Sequence, residues 1–271
     1  MSDNVLLSEL IDGVLLLTWN RPERNNGWTN SLEEAYFGAL IDAAANPEVK
    51  VIVVTGAGRS FCPGLDMAVL SASATAGTPS TMNRRYPMTM ARFIPKPVIA
   101  AVNGATAGIG FIQMLSCDIR FVSSTAKFTT SFARRGLPAE NSISWLLPRL
   151  VGTGVAADLL LSGRVFESAE ALSMGLVNRV VAPENLLAET LAYARDMAAN
   201  CSPSSMAAIK MQMSADLERG SEESRFNALV HVAVLTNQPD FNEGVTSFTE
   251  KRAPHFDGLS VTVAVPKGYY R

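Results

Sequence analysis

Val51-Ile-Val-Val-Thr-Gly-Ala-Gly-Arg-Ser-Phe-Cys-Pro-Gly-Leu-Asp66 decides the fold. Val51 to Thr55 is short and almost wholly apolar, the pattern of a strand covered on both faces. Gly56-Ala-Gly58 tempts a dinucleotide-binding reading, but the sixth position of G-x-G-x-x-G is Phe61 and no acid closes a second strand at the right distance. A P-loop fails as well, because no Gly-Lys-Ser/Thr follows. Pro63 and Gly64 then favour a tight turn into a helix start at Leu65-Asp66. A helix start leaves backbone N–H groups unpaired and carries partial positive charge. The same sentence recurs in Pro97-Val-Ile-Ala-Ala-Val-Asn-Gly-Ala-Thr-Ala-Gly-Ile-Gly110, a buried strand running through a glycine turn into an apolar helix. Two N–H groups from two such turns can hold one oxygen that gains negative charge, with no side chain required.

Working outward, Val5 to Ile11 and Val14 to Trp19 read as a hairpin around Asp12-Gly13. Asn30 with Glu33 three residues on suggests a capping box opening a helix that runs to about Ala45. Ser71 to Thr81 reads as a mobile loop of small residues, and Asp118 to Ser123 as a further strand after a short helix. Strands and helices alternate to residue 123, which predicts a mainly parallel, layered α/β core. From Ser142 the pattern turns helical, with Leu187 to Asn200, Ser204 to Arg219 and Glu222 to Leu235 at helical spacing. The expected division is a core over 1–200 and a helical region over 201–271.

Composition narrows the function. The 271 residues are 48% hydrophobic and 18% charged, so the chain folds rather than staying disordered. A net charge of −2 leaves no footprint for nucleic acid. Cys62, Cys117 and Cys201 show neither a disulfide framework nor metal spacing, which favours a reducing, cytoplasmic setting. Only two histidines occur, and His231 and His255 receive no role, so a histidine-built zinc site and a serine triad are both disfavoured. No secretory leader is read at the N-terminus. The uncharged run from Pro97 to Leu115 is interrupted by Asn103, Thr106 and Gln113, and reads as buried strand and helix rather than a membrane span.

Taken together, the segments resemble the crotonase (enoyl-CoA hydratase/isomerase) superfamily from about Val14 to Gly258. The resemblance is carried by Asn20-Arg-Pro-Glu-Arg-Asn-Asn26, the two turns quoted above, Cys117-Asp118, Trp145-Leu-Leu-Pro-Arg149, Ser168-Ala-Glu-Ala-Leu-Ser-Met-Gly-Leu-Val177 and Phe248-Thr-Glu-Lys-Arg252. It implies a spiral of ββα turns, a helical C-terminal trimerisation region, a homotrimer or dimer of trimers, and acyl-CoA thioester substrates. Coenzyme A then arrives as part of the substrate, with no separate cofactor or metal. On this matching the thioester oxygen sits between the N–H groups of Leu65 and Ile109. CoA-side candidates are Arg24, Asn25, Pro63, Asp66 and Lys251. Asp66 also reads as a structural acid at a helix start, and Lys251 as a solvated helix end.

The departures from the family pattern choose the reaction. Family hydratases handle water with two glutamates, and the matching positions here are Ile112 and Phe132. Neither can accept a proton. One acid remains, Glu140 in Gly136-Leu-Pro-Ala-Glu-Asn141, in a segment similar to that of family isomerases. A single carboxylate can take a proton from C2 and return it to C4, moving a 3-enoyl double bond to the 2-position. Apolar neighbours would raise the Glu140 pKa by desolvation. The competing readings are a hydratase or hydrolase with a base elsewhere, and an acyl-CoA-binding protein without turnover. Further expectations are a local backbone that differs where Ser142 and Ile143 replace family glycines, an acyl pocket lined by Met67, Met82, Met88 and Met90, and a solvated face for Arg84 and Arg85.

Overall fold

A computed structural model describes residues 4–76 and 84–263. β1 (Leu6–Ile11) and β2 (Val14–Trp19) pair antiparallel around Asp12 and Gly13, whose φ angles of 50° and 78° fit the primed hairpin turn expected there. α1 (Asn30–Ala45) follows, but its cap lies one residue earlier than expected. Extended Thr29 accepts from the Leu32 N–H, and no capping box forms. Glu33 instead turns inward, accepts from Trp28 Nε1 at 2.9 Å and pairs with Arg84. Burial decides this: away from water, an indole N–H and a guanidinium hold a carboxylate better than an exposed cap does. The expected solvated face therefore fails for Arg84, whose side chain is only 6% exposed, while Arg85 remains on the surface near Glu34.

The chain then repeats one unit. β3 (Val51–Gly56), β4 (Ser60–Cys62) and α2 (Met67–Ala76) make the first ββα turn. β5 (Val98–Val102), β6 (Ala105–Ala107) and α3 (Ile109–Ser116) make the second. β7 (Ile119–Ser123) and β8 (Lys127–Thr129) open the third, closed by α4 (Ile143–Val151) and α5 (Thr153–Ser162). The first strand of each unit enters a six-stranded sheet ordered β1-β2-β3-β5-β7-β10, and the second enters a four-stranded sheet ordered β4-β6-β8-β9. The remaining members are β9 (Phe166–Glu167), α6 (Ser168–Ser173), β10 (Arg179–Val181) and α7 (Leu186–Asn200). This is the spiral expected from the sequence.

β3 and β5 are buried along their whole length, because both faces are covered. Ile52, Val54, Val98 and Ala100 join the main core, while Val51, Val53, Ile99 and Ala101 pack with Leu186, Ala194 and Ala198 of α7. The apolar run from Pro97 is thus strand, strand and buried helix, and among the described residues no helix is long and apolar enough to cross a membrane. The loop expected over Ser71 to Thr81 begins as helix instead: α2 continues to Ala76. Its alanines favour helix, and Asp66 Oδ1 accepts from the Ala68 N–H at its start. Residues 77–83, with Met82, lie outside the described residues.

Past Cys201 come α8 (Pro203–Asp216), capped by Ser202, then α9 (Ser221–Leu235) and α10 (Pro239–Glu250). α9 buries none of its residues within this chain, and Phe226, Leu229, Val232 and Val234 are all exposed.

Candidate active site

Parallel pairing of the short strands builds the site. Ser60 and Cys62 of β4 register with Ala105 and Thr106 of β6, and Ala107 of β6 with Thr129 of β8. Three strands running the same way end side by side, so the residues that follow each one meet at a single edge. This is where open α/β sheets place ligands. Gly64 follows β4, Gly108 follows β6 and Ser131 follows β8. Gly64 lets its turn approach that of Gly108: a Cβ on Gly64 would lie 3.3 Å from the Ala107 carbonyl oxygen and 3.9 Å from Gly108 Cα. Their φ angles of 110° and 50° are open to glycine alone at little cost.

The two residues whose N–H groups the sequence singled out, Leu65 and Ile109, lie at this edge. Trp28 N–H donates to the Gly64 carbonyl at 2.8 Å, and Asp66 N–H donates to the Trp28 carbonyl at 3.0 Å. That parallel bridge uses the groups on either side of Leu65 and turns the Leu65 N–H away from Trp28. Ile109 is the first residue of α3, where an N–H has no partner within its own helix. Leu65, Ile109 and Glu140 line one pocket, together with Pro63, Met67, Leu70, Ser131, Phe132, Arg135 and Leu137. Among the described lining residues Glu140 is the only carboxylate.

Glu140 is half-buried. Burial pushes its carboxyl above the usual glutamate range, and the Arg84 guanidinium pulls the other way without cancelling that rise. It stands just outside α4 rather than in its first turn, and its carbonyl accepts from Ile143 N–H. Asn141 and Ser142 beside it are both left-handed, with φ of 52° and 63°. Ser142 is thus held left-handed, with strain accepted in a residue that has a Cβ. Ser131, with φ of 55°, is another left-handed residue and itself lines the pocket.

The two hydratase-like positions are hydrocarbon. Ile112 is fully buried within α3, and Phe132 is 5% exposed and lines the pocket. Of the methionines, Met67 lines the pocket, whereas Met88 and Met90 belong to the packed core.

Beside this pocket, and sharing Pro63 with it, lies a cleft lined by Asn25, Arg59, Asn103 and Lys127. Asn25 Oδ1 accepts from Arg59 Nε at 2.9 Å. Arg59 and Lys127 are exposed cations that the sequence reading missed, and only the folded register of β4 and β8 brings them together. Arg24 is exposed in a short 3-10 turn over Pro22–Arg24 and lines neither cavity. Asp66 has both oxygens engaged, by Arg21 at 2.9 Å and by the Ala68 N–H at 3.0 Å. Burial alone would raise its carboxyl, but these donors outweigh it and hold it below the usual aspartate range. Lys251 ends α10 in a left-handed conformation, is exposed, and lies in neither cavity. Among the described residues no group of His, Cys, Asp and Glu is arranged to hold a metal.

A spiral of ββα turns whose short strands end at one pocket defines the class, and comparison with known proteins agrees. The enoyl-CoA hydratase/isomerase family model matches residues 9–259. The chain is 31% identical to the 1,2-epoxyphenylacetyl-CoA isomerase of Escherichia coli, over 93% of this chain and 98% of that protein. Its fold superposes on an enoyl-CoA hydratase from a Polaromonas species with TM-score 0.84 at 30% identity, covering 93% of this chain and 99% of that one. An enoyl-CoA hydratase of Mycobacterium marinum shares 45% identity over 80% of this chain and its whole length, with TM-score 0.69. The chain belongs to the enoyl-CoA hydratase/isomerase family, and it is an enzyme of the crotonase fold.

Proposed function

We propose that this enzyme shifts the double bond of a 3-enoyl-CoA to the 2-position, with Glu140 as the proton carrier. The carboxylate removes a proton from C2. The electron pair spreads onto the thioester oxygen and C4, and the N–H groups of Leu65 and Ile109 hold the resulting enolate oxygen. Returning the same proton to C4 restores the thioester carbonyl and leaves the double bond at C2. Loss of one such donor typically costs about 10²–10³ in rate. The observation that carries this reading is Glu140 as the sole carboxylate among the described residues lining the pocket that also holds Leu65 and Ile109. Hydrocarbon at Ile112 and Phe132 leaves no second acid to activate water.

CoA is assigned to the neighbouring cleft through Pro63, Asn25, Arg59 and Lys127, with Asp66 holding the turn rather than touching substrate. Arg24 and Lys251 serve it only from outside this cleft. The exposed apolar face of α9 supports a homotrimer or dimer of trimers. Three free thiols support a reducing compartment such as the cytoplasm. Coenzyme A, part of the substrate, is the only carrier this chemistry needs.

The test is a paired assay of 3-enoyl-CoA and trans-2-enoyl-CoA on wild type and Glu140→Ala. Double-bond position is read by NMR and water addition by mass spectrometry. Conversion of the 3-enoyl ester that dies with Glu140 is the expected result. Hydration is the second reading, favoured by the hydratase names of two of the relatives above. Water addition to the 2-enoyl ester that survives Glu140→Ala would establish it and remove the isomerase assignment.

A further inference from the structure

Ser131 has a conformation that its sequence does not favour and a position that the reaction could use. Its φ of 55° places a residue bearing a Cβ in the left-handed region, where glycine is the ordinary choice. The fold holds it there: Ser131 N–H donates to Thr129 Oγ1 at 3.1 Å, and Thr129 Oγ1 donates to the Gly163 carbonyl at 2.9 Å. Its hydroxyl faces the second oxyanion turn, with Oγ 3.9 Å from the point a Cβ on Gly108 would occupy, one residue before the Ile109 donor. Ser131 lines the same pocket as Leu65, Ile109 and Glu140. Among the described residues, its Oγ has no hydrogen-bond partner within the chain. A serine O–H can donate, so its proton remains available to a ligand.

We propose that Ser131 Oγ donates a third hydrogen bond to the thioester oxygen, beside the N–H groups of Leu65 and Ile109, and that it is a catalytic residue of this enzyme. The role rests on the oxyanion chemistry assigned above. A hydroxyl donor strengthens as charge grows on the oxygen, so its benefit falls on turnover more than on binding.

Substitution can separate chemistry from folding. Ser131→Gly removes the hydroxyl and also relieves the left-handed strain, so a purely structural serine would give a protein at least as stable and as active. Ser131→Ala removes the hydroxyl and keeps the Cβ. The measurements are kcat and KM on 3-enoyl-CoA, the melting temperature, and the infrared C=O stretch of a bound saturated acyl-CoA that does not turn over. The expected result is a kcat lowered about tenfold or more in both variants, KM within about twofold, a melting temperature for Ser131→Gly equal to or above wild type, and a C=O band moved to higher frequency. Unchanged kcat in Ser131→Gly overturns the proposal, as does a C=O band identical to wild type. The band needs no turnover. A wild type that binds acyl-CoA but isomerises nothing therefore defeats the reaction assigned above, while the band still decides the role of Ser131. Failure of wild type to bind the ester at all overturns both.

Discussion

Gly110→Ala tests whether contact between α3 and β4 sets the oxyanion geometry. Gly110 is the second residue of α3, and a Cβ there would lie 2.0 Å from the Cys62 carbonyl oxygen and 2.7 Å from Cys62 Cβ. Such contacts do not occur below 3.0 Å, so helix and strand must separate by at least about 1 Å. Neither side can yield by rotating a side chain, because the obstacle is backbone and Cys62 is fully buried. The strand leads into the turn of Leu65, and the helix begins at Ile109, so the separation falls between the two proposed donors. Overpacking of this kind costs about 1–3 kcal/mol, or about 2–4 °C of melting temperature per kcal/mol at this size. A 1 Å misplacement of reacting groups costs about 10² in turnover. Gly38→Ala is the matched control. Gly38 lies inside α1 with nothing within 4 Å of an added Cβ, and alanine should add about 0.8–1.0 kcal/mol. The assay is thermal melting beside kcat and KM on 3-enoyl-CoA. A Gly110→Ala enzyme with wild-type melting and turnover would refute the reasoning.

Three other perturbations have signs that the geometry fixes. Glu140→Gln should abolish turnover yet raise or preserve the melting temperature at pH 7. Burial lifts the folded carboxyl above its unfolded value, so its contribution to stability is favourable at low pH and is lost as pH rises through the folded pKa. The two proteins should melt alike below about pH 4, and a Gln variant less stable at pH 7 would contradict this. Asp66→Asn should cost about 3 kcal/mol at pH 7, because Arg21 loses a largely buried partner. The sign is opposite to that of Glu140: a depressed carboxyl stabilises above its unfolded pKa, and the loss appears as pH falls through the folded value. Melting across pH 2–7 checks it, the penalty expected to vanish at the acid end. Burial pushes the thiols of Cys62 and Cys117 up to about 12, so an alkylating reagent at pH 8 should modify Cys201 first and the other two only on unfolding. Peptide mapping that finds Cys62 modified in folded enzyme would contradict the packing of β4.

Much of the fold was legible because it is written in short-range chemistry. Asp12-Gly13 names its own turn, Val51 to Thr55 carries the pattern of a doubly covered strand, and the two glycine turns mark where strands end at the pocket. What was illegible depends on pairing across distance. β4, β6 and β8 have three residues each, too few for any periodicity to show, yet their parallel register makes the site. Glu33 reads as a capping acid from its spacing, and only the arrival of Arg84, 51 residues later, turns it inward. Ser131 gives no local signal, whereas Ser142 is marked only by the glycine it replaces and Asn141 by asparagine's tolerance of the left-handed region. A left-handed residue with a Cβ is imposed by its surroundings rather than chosen by its sequence.

The packing around Ile112 bears on the choice between isomerisation and hydration more than the mere absence of an acid does. An activated water needs a space and two or more polar partners. Ile112 is fully buried in a core that includes Phe111, Phe132, Ile143 and Leu147, so hydrocarbon fills the place where a second acid would stand. A carboxylate introduced there would lie unpaired and buried, with a desolvation cost of several kcal/mol. Burial raises the Glu140 carboxyl, which makes it a stronger base once it is ionised. Proton transfer between two carbons of one bound chain needs a strong, dry base that keeps the proton it takes. Under the isomerase reading proposed above, hydrocarbon at Ile112 and Phe132 and a raised Glu140 carboxyl serve one end, a proton taken from C2 and returned to C4.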